Sequence, residues 1–382
     1  MTSQETDTRG PLSGVRILDM ATVFAAPFGA TLCADHGADV LKLELPNGSD
    51  PLRGLQPVKD GVPLWWKIAN RGKRGITLDV RKPAGREILL RMLPEFDVLV
   101  ENFRTGTMDK WGLDINTLHQ ANPRLIVVRL TGFGQTGPYS GRPGFARNFP
   151  SGEAVAGLFC AVSIAAEVAR ARSAPQAKGV EVDLSATEAL FRLLDFLPVE
   201  HEQLGFVRRA TGNCATYTAP SNMYCSSDGV WFSLVASSES IFARLCNGLG
   251  HPEWIEDPRF STNPRRVANL DQLNEVLERS FSKQSFAILA DRLEQAGVPF
   301  SKIYTIRDIE HDPQFIARRA IVRLPDPDYG SLPAPCIVPR VKGRDLPIPR
   351  TGPSVGEHNA QVYANLGIQK KDLDMLRREG IV

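Results

Sequence analysis

Residues 15–44 read VRILDMATVFAAPFGATLCADHGADVLKLE, and the order of patterns along them decides the fold class. VRILDM (Val15–Met20) is a short apolar run of strand type. ATVFAAPFGATLCADHG follows, with small and apolar residues at helical spacing and Gly37 as a stop. ADVLKLE (Ala38–Glu44) is a second strand. Strand, helix and strand in this order form a βαβ unit, whose two strands run parallel.

Outward from that unit the pattern repeats. RGITLDV (74–80) is a third strand, and KPAGREILLRMLPEF (82–96) a helix with an early Pro83 and Ile88, Leu89 and Met92 on its apolar stripe. DVLVENF (97–103) and RLIVVRLTGFG (124–134) are the fourth and fifth strands. From Ala154 to Arg172 the chain is small and apolar, then basic, which predicts a buried helix with a basic last turn. VEVDLS (180–185) is a strand and ATEALFRLLDFL (186–197) a helix. Strands alternating with helices predict an α/β fold with a parallel, doubly wound sheet. Ligands of such sheets sit at the carboxyl ends of the strands. Here those ends are Glu44-Leu45, Asp79 to Arg81, Asn102 to Arg104 and Thr131 to Phe133.

Beyond the turn-rich GNCATYTAPSN (212–222), a hairpin around Asp228-Gly229 and helical segments from Ser238 to about Ala296 predict a smaller α+β domain. Proline is dense from Pro325 to Pro353, which predicts an extended return, and AQVYANLG (360–367) closes the chain as a short helix. The expected domains are 1–212, 213–325 and a C-terminal return over 326–382.

Composition narrows the function classes. Apolar residues make up 42% and charged residues 23%, with a net charge of +2, so nothing points to nucleic acid or an anionic membrane as partner. Six scattered cysteines without a CxxC, and six histidines without ligand spacing, give no sign of zinc or a disulfide framework. No metal is expected. The N-terminus is polar and no uninterrupted apolar run approaches the roughly 18 residues of a membrane helix. The expectation is a cytoplasmic protein with no membrane partner.

Three basic groups lie near the strand ends: NRGKRG (70–75), ENFRTG (101–106) and GRPGF (141–145). Singly, such runs are solvated loops. Together, at strand ends or flanking loops in one half of the chain, they suit a phosphate-rich ligand carrying an adenine. There is no GxGxxG after the first strand and no GxxxxGK[ST], so neither nucleotide fingerprint is present. Glu153 lies where the buried helix begins. A carboxylate there is either a first-turn partner of the helix dipole or a nucleophile able to form a covalent acyl intermediate.

In sequence, PLSGVRILDM, AAPFGATLCADHGADVLKLE, NRGKRGITLDV, VLVENFRTG, NPRLIVVRLTGFGQTGPYS, RPGF, AVAGLF, VEVDLSATEAL, AGVPFSKIYTIRDIEHDPQF and GEHNAQV resemble the family III CoA-transferases over nearly the whole chain. That family includes formyl-CoA transferase, the carnitine and bile-acid CoA-transferases and α-methylacyl-CoA racemase. The resemblance implies a large Rossmann-like domain built from both chain ends, a smaller inserted domain, and an interlocked homodimer. It implies coenzyme A or an acyl-CoA as substrate, with CoA contacts at Phe24, Ala25, Leu78, Arg81, Asn102, Phe103, Arg104, Lys110, Arg142, Gly144 and Phe145. Leu45 stands where formyl-CoA transferase has a CoA-binding arginine, and Lys73 or Arg74 is the nearest replacement. The family nucleophile is an aspartate four residues before a glycine that opens a buried helix. Counting back from Gly157, that position is Glu153. Only seven residues, Ala146 to Gly152, join GF of RPGF to Glu153, roughly twenty fewer than the family carries. The implied activity is transfer of CoA from an acyl-CoA to a carboxylic acid through Glu153. The alternatives are a 2-methylacyl-CoA racemase, whose histidine position is Phe145 here, and a CoA-binding paralogue impaired by the short segment.

Overall fold

Six short strands assemble into one parallel sheet. They are β1 (Arg16–Asp19), β2 (Asp39–Glu44), β3 (Arg74–Thr77), β4 (Val98–Glu101), β5 (Ile126–Thr131) and β6 (Val180–Ser185), in the order β3-β2-β1-β4-β5-β6. The structure is a computed structural model and describes residues 9–48, 50–142, 151–174 and 176–382. In the centre, Leu18 of β1 pairs with Leu41 of β2 on one side and Leu99 of β4 on the other. The order reverses between β1 and β4, which creates the switch point at which such sheets bind ligands.

Period-two alternation splits the strand side chains between two cores. Leu18, Leu41, Leu43, Ile76, Leu99 and Val127 face helix α2 (Pro83–Met92) and the two C-terminal helices. Ile17, Val40, Val98, Val100 and Val128 face α1 (Ala25–Asp35) and α3 (Ser151–Ser173). Both faces of the central strands are covered, which is why β4 and β5 carry the continuous apolar runs VLV and IVV. Each fully buried Leu, Ile or Val contributes about 1.5–3 kcal/mol relative to exposure.

The chain divides into two compact units, one from residues up to Phe196 with Arg319–Val382, the other Leu197–Arg318. The sequence expectation placed the corresponding boundaries at 212 and 325. The second unit has a three-stranded antiparallel sheet of Ser221–Cys225, Trp231–Val235 and Phe300–Lys302. The helices Glu239–Leu249, Leu270–Phe281 and Phe286–Gln295 pack over a core that includes Tyr224, Phe232, Phe242 and Phe281.

The C-terminal return differs in part from the expected extended chain. It first forms a hairpin, Ile321–Asp326 with Gly330–Pro335, because the turn at Asp326 to Gly330 is closed by Asp326 accepting from the Asp328 and Tyr329 amides. It ends in two helices rather than one, Asn359–Asn365 and Lys370–Arg378. The second helix was missed because KKDLDMLRR has only Leu373 and Leu376 to bury. The first helix clips the edge strand β3. The Asn359 side chain pairs with both the Thr77 amide and the Thr77 hydroxyl, and the Tyr363 hydroxyl donates to the Thr77 carbonyl at 2.6 Å.

Candidate active site

The loops that leave the carboxyl ends of β1 and β4 meet at the switch point. Asn102 joins them: its side-chain carbonyl accepts from the Thr22 amide at 2.8 Å, and its amide donates to the Thr22 carbonyl at 2.8 Å. Both ends of the Asn102 side chain therefore orient the loop that carries Phe24 and Ala25. Phe24 is half-buried, stacked on Phe28 with ring centroids 5.1 Å apart and tilted against Trp65 at 5.4 Å. Phe103 sits edge-on to Trp111 at 4.9 Å, and its amide donates to Glu101 at 2.6 Å. Glu101 is wholly buried. Burial pushes its carboxyl up to about 7, against the opposing pull of the Phe103 amide and the Arg129 guanidinium.

A third loop joins these two. The Thr105 hydroxyl donates to the Ser140 carbonyl at 3.1 Å. Arg142 lies over the Tyr139 ring, 3.8 Å from its centroid. Arg104, Lys110 and Arg142 are all exposed. Arg81, half-exposed, is forked onto Asp79 at 2.8 and 2.9 Å, and holds that carboxyl below the usual carboxylate range. Leu78 is wholly buried in the core, its amide donating to the Glu44 carbonyl, so it presents no surface to a ligand here. Gly144 and Phe145 lie outside the described residues.

The basic run NRGKRG turns inward instead of toward a ligand. Arg71 is forked onto Asp35 and donates to the Pro335 carbonyl. Lys73 is buried and donates to Asp19, the Pro27 carbonyl and Asn70. Arg74 is forked onto Asp39. Of the two residues suggested beside Leu45, Lys73 is committed to the buried Asp19 and Arg74 to the exposed Asp39.

Glu153 lies half-buried in the first turn of α3. Gly157 does not open this helix, which starts at Ser151; it lies inside it, at the crossing with α1. A methyl group on Gly157 would come within 2.6 Å of the Ala25 carbonyl and 2.9 Å of the Phe28 ring, and one on Gly29 within 2.8 Å of Cys160. The two backbones touch because both helices carry glycine there. In a parallel sheet, α1 and α3 both begin at the carboxyl edge. Glu153, about 6 Å along the helix before Gly157, is thereby brought to the same edge as Ala25. The α3 helix was expected to be buried. Only its Ala156, Gly157, Cys160, Ile164 and Val168 side is; Leu158 and Val162 are 52% and 64% exposed. By length and composition alone α3 is also apolar enough to cross a membrane.

Sequence reasoning missed what lies under the β1 loop. Lys42 and Lys73 are buried with Asp19 and Asp50. The visible signal was Lys42 between Leu41 and Leu43 inside the strand DVLKLE. Among the described residues no group of three His, Cys, Asp or Glu side chains is placed to hold a metal ion.

These features define a Rossmann-like α/β protein with exposed cations on the loops at its switch point and a carboxylate in the first turn of α3. The profile of CoA-transferase family III matches residues 12–151 and 146–359. Succinyl-CoA–D-citramalate CoA-transferase of Chloroflexus aurantiacus is 36% identical, with 97% of this chain and 98% of that protein covered. Acetyl-CoA:oxalate CoA-transferase of Acetobacter aceti is 32% identical over 92% of this chain and 95% of its own. A crystal structure of a CaiB/BaiF family protein from Brucella suis superimposes with a TM-score of 0.82 at 30% identity, covering 94% of this chain and 100% of that one. The chain belongs to CoA-transferase family III.

Proposed function

We propose that this protein moves CoA from an acyl-CoA to a carboxylic acid, with Glu153 as nucleophile in place of the aspartate its resemblance implies. The observation that carries this reading is the placement of Glu153 in the first turn of α3, with Gly157 one turn further packed on Ala25 and Phe28 at the switch point. The Glu153 carboxylate attacks the thioester carbonyl, the C–S bond breaks, and CoA leaves as thiolate from a mixed anhydride. The thiolate returns to the glutamyl carbonyl, releasing the donor acid and leaving a glutamyl thioester. The acceptor carboxylate attacks that thioester, and the thiolate then attacks the acceptor's acyl carbon. Acceptor-CoA forms and Glu153 is regenerated. Backbone N–H groups near the glycines of the site would stabilise the oxyanions.

Arg104, Lys110 and Arg142 supply exposed cations for the CoA phosphates. The names of several relatives share short dicarboxylates: succinyl-CoA with D-citramalate or L-malate, oxalate, and succinate with glutarate. A short dicarboxylate is accordingly proposed as one substrate here. The working form is a homodimer. Leu158 and Val162 of α3, and Phe191, Leu193 and Leu194 at and beyond the end of the helix Ala186–Arg192, are exposed large apolar side chains that a second chain would cover.

One observation favours a second reading, a CoA-binding protein with impaired transfer. The alignment with the citramalate enzyme has 400 positions against the 382 residues of this chain, and the two profile segments meet at 146–151, just before Glu153. Both facts support a shortened connection beside the nucleophile. One experiment separates the readings. The protein is mixed with succinyl-CoA, quenched with hydroxylamine and digested. A hydroxamate on the Glu153 peptide, absent in Glu153→Gln, is expected from a working transferase. CoA binding without the hydroxamate supports the impaired form, and wild-type transfer by Glu153→Gln would refute the nucleophile.

A further inference from the structure

The backbone of Val23 has φ +65, a left-handed conformation that β-branched residues avoid. Holding an L-residue there disfavours the state by a factor of roughly 5–30. Glycine would adopt it freely. Valine stands here because its surroundings hold it.

The Asp50 side chain accepts from the Val23 amide at 3.0 Å and from the Leu52 amide at 3.0 Å. Asp50 is 3% exposed and lies 3.4 Å from the Lys42 ammonium, which also donates to the Ala21 carbonyl and faces Asp19 at 3.8 Å. Asp19 accepts from the Ala21 amide at 3.1 Å and from Lys73 at 2.7 Å. Two ammonium groups and two carboxylates make the cluster electrically neutral, the condition under which buried charges are tolerated. Asn102 takes both backbone polar groups of Thr22. The amides of Ala21, Thr22 and Val23 are thus each bound by a side chain, and the next two residues are Phe24 and Ala25.

We infer that Asp50, held by Lys42, is a positioning residue: it locks Val23 in the left-handed state and thereby presents Phe24 and Ala25 to CoA. This rests on the reading that CoA binds at this edge of the sheet. The device acts by population. When only a fraction of the protein holds the binding conformation, apparent affinity falls by that fraction.

The test is calorimetric titration of CoA into the full-length protein, with circular dichroism of each variant as the folding check. Asp50→Ala is expected to weaken CoA binding about tenfold. Adding Val23→Gly to that variant should recover most of the loss, because glycine reaches positive φ without steric cost. Val23→Pro fixes φ near −65° and removes the amide that Asp50 accepts from, while Asp50 keeps its Leu52 amide and Lys42, and Asp19 keeps Lys73. It should weaken CoA at least as much, and it stays readable if Asp50→Ala does not fold. Wild-type affinity in Asp50→Ala or Val23→Pro, or no recovery on adding Val23→Gly, overturns the inference alone. A wild-type protein that does not bind CoA overturns the reading of the site as well.

Discussion

Replacing Gly157 by alanine puts two effects of opposite sign on one position. In a helix interior alanine is favoured over glycine by about 1 kcal/mol. Against this, the new methyl carbon would lie 2.6 Å from the Ala25 carbonyl oxygen, where ordinary contact begins at 3.4 Å. The obstacle is backbone, so no rotamer change relieves it. Helices α1 and α3 must separate by most of the difference, roughly 0.8 Å, and overpacking of this kind costs about 1–3 kcal/mol. The expected balance is a fall in the thermal midpoint. The shift also carries the first turn of α3, and with it Glu153, away from Ala25. A misplacement near 1 Å costs about 10²-fold in rate. Gly157→Ala should therefore lower kcat for CoA transfer by about one to two orders of magnitude, measured with succinyl-CoA and a short dicarboxylate acceptor, while the far-ultraviolet circular dichroism is unchanged. A variant that is more stable than wild type by about the helix-propensity difference, with an unchanged kcat, would refute the tight crossing and the positional argument built on it.

Four further outcomes are expected. Arg104→Ala should weaken CoA binding by about 1.5–3 kcal/mol in calorimetry, the range for hydrogen bonds to charged groups. Arg74→Ala, whose guanidinium is forked onto Asp39, should leave CoA affinity unchanged, and equal losses in the two would contradict the division of the basic groups. Glu101 has its folded carboxyl raised from 4.5 to about 7, so between those values the native state holds the extra proton and stability falls as pH rises. Thermal melts from pH 5 to 8 should show wild type losing ground to Glu101→Gln across that window, and a wild-type midpoint that gains on the variant would reverse the assignment. Light scattering should return a dimer mass; a folded monomer at micromolar concentration would contradict the role given to the Leu158 and Val162 face.

Much of the α/β unit was legible because its information is local. In the central strands VLV (98–100) and IVV (126–128) are continuous apolar runs because the sheet is covered on both faces there, while the edge strand VEVDLS alternates. Helix and strand periods then alternate visibly along the chain, and the family follows from the order of motifs. The polar closing helix Lys370–Arg378 was not legible, since two leucines do not make a readable stripe.

At the site, sequence named chemical types, and tertiary structure decided what each is used for. Arg71, Lys73, Arg74 and Arg104 are all cations near strand ends. Only the fold shows the first three turned onto Asp35, Asp19 and Asp39, each distant in sequence, while Arg104 is exposed. The Ala25 contact that fixes Gly157, and the Asp50 contact that holds Val23, likewise join residues far apart in the chain. Periodicity reports which face of an element is apolar. Which carboxylate meets which ammonium inside the molecule depends on how the strands are ordered in the sheet, and that order is settled only when the whole chain has packed.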